Sequence, residues 1–360
     1  LLIPVCVQLA FAQTPALDRS AQRAAVNKAA VLIVSGHPET TMMKVADDLA
    51  IALSDPQGSF RVVPVVGDGS EDNIRDLILL RHIDLAITDL TALEKMKRSQ
   101  DVSQFLQREI AHIVTLFPDK LQLFAQTGIK SVKDLEGKRV GMGLKGSSTE
   151  LHSQAIFDAL RVKVTPVLRA DIDSAEALIK GDIDAFMCFC ASSPSIYQRL
   201  MFNLDLNILP IPFEAELQQD YLPATIVHED FPSMVGKGDT IDTIAVTLAI
   251  VTYNWETGSP RYAAVSKFVE SLFNNLPKLQ KAPRHPGWRS VQISATAAGW
   301  LRFAAAAEWP TAQRSDALKE MRGAFNEFLE KYTSESSAKV ENSDQIKLFE
   351  EFLVWRQSPR

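Results

Sequence analysis

Cysteine is nearly missing from this chain: 360 residues hold three, Cys6, Cys188 and Cys190. So few thiols exclude a small domain stapled by disulfides. Cys188 and Cys190 stand two apart. On a strand such a pair points the same way without the geometry of a bridge, so free thiols lining one face are expected. A CxC metal or redox site is the weaker reading, because no His or further Cys stands nearby in sequence to complete a tetrahedral set. Histidine is sparse as well. His37, His82, His112, His152, His228 and His285 form neither HExxH nor a paired metal motif. There is no GxSxG elbow. GLKGSS (143–148) lacks the GxxxxGK[ST] phosphate loop, and GDGSED (67–72) lacks the third glycine of GxGxxG. Positive charge is in deficit, with 38 Lys plus Arg against 44 Asp plus Glu and a net charge of −6. A general attraction to nucleic acid or anionic lipid is thereby excluded. No stretch supplies the ~18 consecutive apolar residues of a membrane span.

What is present is an ordinary globular composition, 46% hydrophobic and 23% charged, long enough for two α/β lobes. The first residues, LLIPVCVQLAFA, are apolar and uncharged and end in Ala10, Phe11 and Ala12. That small-x-small ending predicts a signal-peptidase site after residue 12 and a mature protein outside the cytoplasmic membrane. Short apolar runs then alternate with amphipathic segments. Strands are expected at 29–34, 60–66 and 83–87, with helices at 41–53 and 74–80. A second unit is expected with strands at 121–125, 140–143, 164–168 and 185–190, and helices running through 160 and over 174–180. A long strand or strand pair at 241–253 and a helix at 260–274 follow. This alternation is what a largely parallel, helix-covered sheet produces. Lobe one is expected over 28–117 plus 236–298 and lobe two over 118–235, so the chain crosses twice between them. A helical extension is expected over 299–360, with apolar faces on 317–332 and 346–355 that either pack on lobe one or meet a protein partner.

Three strand-to-helix junctions carry the residues a ligand needs: SGHPETT (35–41), GDGSEDN (67–73) and GLKGSSTE (143–150). Helix N-termini leave N–H groups unpaired and carry partial positive charge, so they receive carboxylate or phosphate oxygens. The same hydroxyls serve equally as helix caps. Gly146, Ser147, Ser148 and Thr149 form a compact nest. Asp89, in ITDLT, stands either as an acceptor for a ligand ammonium or as a cap of the next helix. Phe186 shares one strand face with the two cysteines and is a candidate cleft floor. Tyr221, in YLPATI, lies near the return crossing.

In order along the chain, SGHPETTMMKVADDLA, VVGDGSEDNIRDLILLRHIDLAITD, GIKSVKDLEGKRVGMGLKGSSTE, GDIDAFMCFCASSP, YLPATIVHEDFP and DTIAVTLAIVT resemble the TAXI-type solute receptors of TRAP transporters. The resemblance implies a two-lobe type II periplasmic binding protein, each lobe a mixed sheet covered by helices. It implies a receptor without a cofactor that docks on TRAP membrane subunits, with acidic amino acids and dicarboxylates among the family's ligands. Carried to this chain, its binding positions are Gly36, Glu39, Thr40, Thr41, Gly69, Ser70, Gly146, Ser147, Ser148 and Thr149, with Asp89 and Phe186 as weaker transfers. An acidic Glu39 in the cleft disfavours a purely anionic ligand unless it turns away or meets an ammonium group. The expected function is therefore non-enzymatic capture of a small carboxylate or amino acid. A sensor or scaffold acting through the C-terminal helices is the alternative.

Overall fold

A computed structural model describes residues 30–55, 60–98, 107–190 and 206–309, with Ile196, Leu200, Gly323 and Phe325. The expected signal segment and the helices expected at 317–332 and 346–355 lie outside the described residues, Gly323 and Phe325 apart. The chain divides into two units between Phe303 and Ala304; in the second, residues 304–309 are helical.

The first unit holds two sheets, as the α/β reading requires. The chain opens with β1 (Ala30–Val34), α1 (Thr41–Leu53), β2 (Arg61–Val65), α2 (Ser70–Leu79), β3 (Leu85–Asp89) and α3 (Leu90–Arg98). It continues through β4 (Ile110–Lys120), β5 (Gln122–Gln126), β6 (Arg139–Gly141), α4 (Ser148–Ala159), β7 (Thr165–Val167), α5 (Asp171–Lys180), β8 (Ala185–Cys188) and β9 (Leu206–Ile208). Then come β10 (Leu222–Val227), β11 (Thr240–Tyr253), α6 (Pro260–Leu279) and β12 (Leu301–Arg302). The first sheet has the order β12-β4-β11-β3-β1-β2, with β10 also on β11; the second has the order β7-β6-β8-β5-β9. We name the two sheets with their helices lobe one and lobe two.

Each lobe is built on the same β-α-β-α-β unit. In lobe one β1 pairs in parallel with both β2 and β3; in lobe two β6 pairs in parallel with both β7 and β8. The Ile-Asp pair that precedes the third strand of each unit does the same job twice. The Asp84 N–H donates to Leu32 O and its carboxylate accepts from Leu32 N–H at 2.9 Å. Asp184 makes the same ring with Arg139 N–H, also at 2.9 Å. Both rings fix the register at the strand entrance, so the opposite, carboxyl ends are left to carry the variable loops.

Apolar residues fill the interiors. Val31, Ile33, Leu49, Ile74, Leu85 and Ile87 are fully buried in lobe one, and Phe124 and Phe186 stack in lobe two with ring centres 5.1 Å apart. Each such side chain contributes roughly 1.5–3 kcal/mol by leaving water. One buried charge organises the packing of α1. Asp48 accepts from the His285 N–H (2.7 Å) and the Trp288 indole (3.0 Å), while Lys44 lies 2.8 Å from its other oxygen.

Both long strands, β4 and β11, belong to the first sheet, and β4 leads straight into the second. Only Leu121 separates β4 from β5, so the chain steps from one sheet to the other in a single residue. Leu121 N–H donates to Ile244 O at 3.0 Å and Thr243 donates to Leu121 O at 2.5 Å. Pro118, which has no N–H for the ladder, pairs with Thr247 beside a register shift between β4 and β11. Of the two readings of 241–253, a long strand or a strand pair, the structure has one strand. α6 runs past the expected stop at Asn274: Pro277 sits within its last turns, where Leu276 and Leu279 are buried and hold the helix on the core.

The cysteine expectation needs correction. Cys188 and Cys190 are joined in a disulfide. A shared strand face requires a strand through residue 190, but β8 stops at Cys188, and the bend after it brings the two Cα atoms to 5.3 Å, within the ordinary range for a bridge.

Candidate functional site

Ligands of open α/β sheets bind beyond the carboxyl ends of the strands. Here both units point those ends into one cleft, and a cavity of about 240 Å³ lies there. Lobe one contributes the loop after β1 (Gly36, His37, Pro38, Glu39, Thr40), Met42 of α1, and Asp68 and Gly69 after β2. Lobe two contributes Leu144, Ser147, Ser148 and Thr149 at the start of α4, Ala170, Asp171 and Ile172 at the start of α5, and Phe189 after β8. Asp119 of β4 and Val246 of β11 close the floor.

Local sequence explains these turns. Thr40 caps α1, accepting from the Met43 N–H at 3.4 Å, and Ser147 caps α4, accepting from the Glu150 N–H at 3.2 Å. Gly69 precedes α2 at φ 95°, a conformation natural to glycine. It also sits where the lobes meet, since an added Cβ would lie 3.1 Å from the Ser148 Cβ.

Of the expected positions, Gly36, Glu39, Thr40, Gly69, Ser147, Ser148 and Thr149 line this cavity. The other five sit elsewhere. Thr41 is buried, with its N–H donating across the cleft to Phe189 O at 3.2 Å. Gly146 makes the turn before α4, its N–H donating to the Glu150 carboxylate at 2.5 Å. Phe186 belongs to the lobe-two core rather than to the cleft floor, because β8 lies between β5 and β6 and all four of its residues are buried. Phe189, just past the strand end, is the aromatic that reaches the wall.

Ser70 and Asp89 belong to a buried network beside the cavity. Asp89 ends β3 and is fully buried. One carboxylate oxygen accepts from the Ala92 N–H at 2.7 Å, capping α3; the other accepts from the Ser70 hydroxyl and lies 3.2 Å from His152 Nε2 of lobe two. Nδ1 of the same ring lies 3.0 Å from the Tyr221 hydroxyl. Ser70 and Ser148 oxygens are 2.6 Å apart across the cleft, and Ser148 N–H donates to Asp68 O at 3.1 Å. Burial pushes the Asp89 carboxyl up, but the His152 charge and hydrogen bonds from His152, Ser70 and Ala92 outweigh it and hold the group below the usual range. Burial, and then the charges of Asp89 and Asp220, push the Tyr221 phenol up, so it stays protonated. Although Ser, His and Asp meet here, neither hydroxyl is on the imidazole, and both ring nitrogens are already engaged.

Two carboxyls of the cavity behave in the opposite way. Asp119 and Asp171 are both pushed up to about 7, the first by burial, against a hydrogen bond from the Thr41 side chain, and then by Asp89, the second by burial and then by Glu39. Neither was marked by the sequence reading. The signal for Asp171 was its position, since the junction after β7 is the lobe-two counterpart of the junction after β2. Among the described residues no cluster of His, Cys, Asp and Glu is arranged to hold a metal ion.

The model of one family, the NMT1-like family, matches residues 32–301 of this chain. The chain belongs to the NMT1-like family. The whole cleft of this NMT1-like protein falls within the match, and so do both sheets apart from Ala30, Val31 and Arg302. No match is found among curated protein sequences. Among solved structures, it is similar to the periplasmic binding protein BugD, with 13% identity, 72% of this chain and 87% of that chain covered, and a TM-score of 0.47. It is also similar to the alkanesulfonate-binding protein SsuA from Xanthomonas axonopodis pv. citri bound to MOPS (16% identity, 72% and 76% covered, TM-score 0.41). A TctC solute binding protein from Polaromonas gives 19% identity, 69% and 88% covered, and a TM-score of 0.39. No helix among the described residues is long and apolar enough to cross a membrane.

Proposed function

We propose that this NMT1-like chain is an exported, non-enzymatic receptor that captures a small polar solute between its lobes and presents it to the membrane subunits of a TRAP transporter. The solute is of the carboxylate or amino-acid kind. The observation that carries the reading is a single small cavity walled by strand-end loops of both lobes. At about 240 Å³ it lies just below the range of drug-sized pockets. A solute held there touches both lobes at once, so it binds the closed arrangement better than the open one and shifts the equilibrium toward closure.

Binding fits the wall better than catalysis does. Its one imidazole, His37, lies 3.2 Å from Asp68 and not beside a hydroxyl nucleophile. The TRAP partnership and export rest on the resemblance of the sequence segments and of the N-terminal run.

Gently purified full-length protein, denatured and analysed by mass spectrometry, should release a small solute. Adding that solute back should raise the melting temperature and reduce the radius of gyration in solution scattering. A protein that carries no solute and responds to none of a broad metabolite panel in either measurement contradicts the receptor reading.

A further inference from the structure

We infer that the cavity is built for a solute carrying a protonated amine on a compact apolar body, and that the amine is held by Asp171. The inference rests on the receptor reading above and narrows it.

The wall carries four carboxyl groups, Glu39, Asp68, Asp119 and Asp171, and no lysine or arginine. Asp68 has His37 beside it. Asp171 is different. It is 8% exposed, it lines the cavity, and its carboxylate has no hydrogen-bond or ion-pair partner among the described residues. A buried carboxylate without a donor or counter-charge is costly, and proteins pair such groups or bind cations with them. Asp119, 5% exposed on the cavity floor, adds a second acid with no basic side chain on the wall to meet it. A cationic group from the solute supplies what the protein does not.

The rest of the wall sets the body of the solute. Met42, Leu144, Ile172, Phe189 and Val246 offer apolar surface from both lobes and the floor. A dicarboxylate would bring two more negative charges to four acids. The starts of α4 and α5 offset that only in part, since each helix N-terminus amounts to about half a positive charge. An amino acid remains acceptable through its ammonium group, its carboxylate facing the start of α4. The amine is required and the carboxylate is optional.

The test is calorimetry at pH 8 on the full chain with two matched sets: leucine, isopentylamine and isocaproate; phenylalanine, phenethylamine and hydrocinnamate. Amine-bearing members should bind at least about tenfold more tightly than the acid of the same set, roughly 1.4 kcal/mol. An acid that binds as well as its amine overturns the inference and leaves the receptor reading standing. A second readout needs no solute. Asp171→Asn removes an uncompensated acid, so the melting temperature of the free protein should rise by about 2 °C or more at pH 8 and by less at pH 5. A fall at both pH values overturns the inference even if no probe binds. If no probe binds and purified protein releases no solute, the receptor reading fails with it.

Discussion

Asp89 and Asp171 are two acids on the same cleft, and they have opposite fates. Asp89 is fully buried and surrounded by Ser70, Ala92 N–H and His152, which hold its carboxyl below the usual range. Asp171 is nearly as buried, has only Glu39 acting on it, and is pushed up to about 7. Burial alone therefore does not set the charge of a group here; the supply of partners does. Where the protein provides the partners, the acid is a latch between lobes. Where it provides none, the acid faces a cavity.

The sharpest way to break this contrast is to remove the imidazole of the latch. His152→Ala leaves Asp89 buried with only the Ser70 hydroxyl and the Ala92 N–H to meet it, which should cost about 1–3 kcal/mol in the closed arrangement. Urea unfolding reads the part lost from global stability, and scattering reads the part taken up by lobe opening. No change in either would mean that the pair is not a latch.

Asp171→Asn should act with the opposite sign. A folded pKa of about 7 against 3.8 ordinarily corresponds to at most about 4 kcal/mol, so the variant should gain some fraction of that at high pH.

The pH dependence of the unmodified protein follows from the same signs. Asp119 and Asp171 titrate at about 7 when folded and near their ordinary value when unfolded, so their cost is absent below about pH 4, grows as pH rises, and is complete above about 7. Asp89 runs the other way: its contribution is present above the unfolded value and is lost as pH falls through its depressed folded value. His112 and His285, which burial lowers to about 4, act with the opposite sign, since their cost fades as pH rises toward their ordinary value. Asp119→Asn with Asp171→Asn should therefore make the change in stability from pH 5 to pH 8 more favourable than in the unmodified protein. Affinity for an amine should rise over that range as the two acids ionise. Melting curves and calorimetry across the range check both.

Smaller effects sharpen the comparison. Gly69→Ala places a Cβ against Ser148 at a positive φ and should weaken closure by about 1 kcal/mol or more. Tyr221→Phe removes one hydrogen bond to His152 and should cost about 1 kcal/mol, seen in urea unfolding.

Much of this arrangement was legible from pattern. The junctions at 35–41 and 143–150 read as caps or ligand contacts, with Ser148 or Thr149 as the cap of the second; the caps are Thr40 and Ser147, and both also line the cavity. Asp89 read as a cap or as an acceptor for a solute's ammonium, and it caps α3 while pairing with His152. Phe186 was misplaced by one turn of the chain, because alternation along a strand gives the two faces but not where the strand stops. The disulfide escaped for the same reason. Asp119 was invisible in FPDK: nothing local distinguishes an exposed strand-end acid from one that a second lobe will cover.

Periodicity, turn residues and helix starts act over a few neighbours, so the order of residues was enough for the α/β class, for most elements and for the loops that meet the cleft. Which acids are paired and which stand alone depends on side chains 63 residues apart, as for His152 and Asp89, brought together only when two sheets close. Charge at a site is set by everything within a few ångströms in space, and that neighbourhood exists only once the chain has folded.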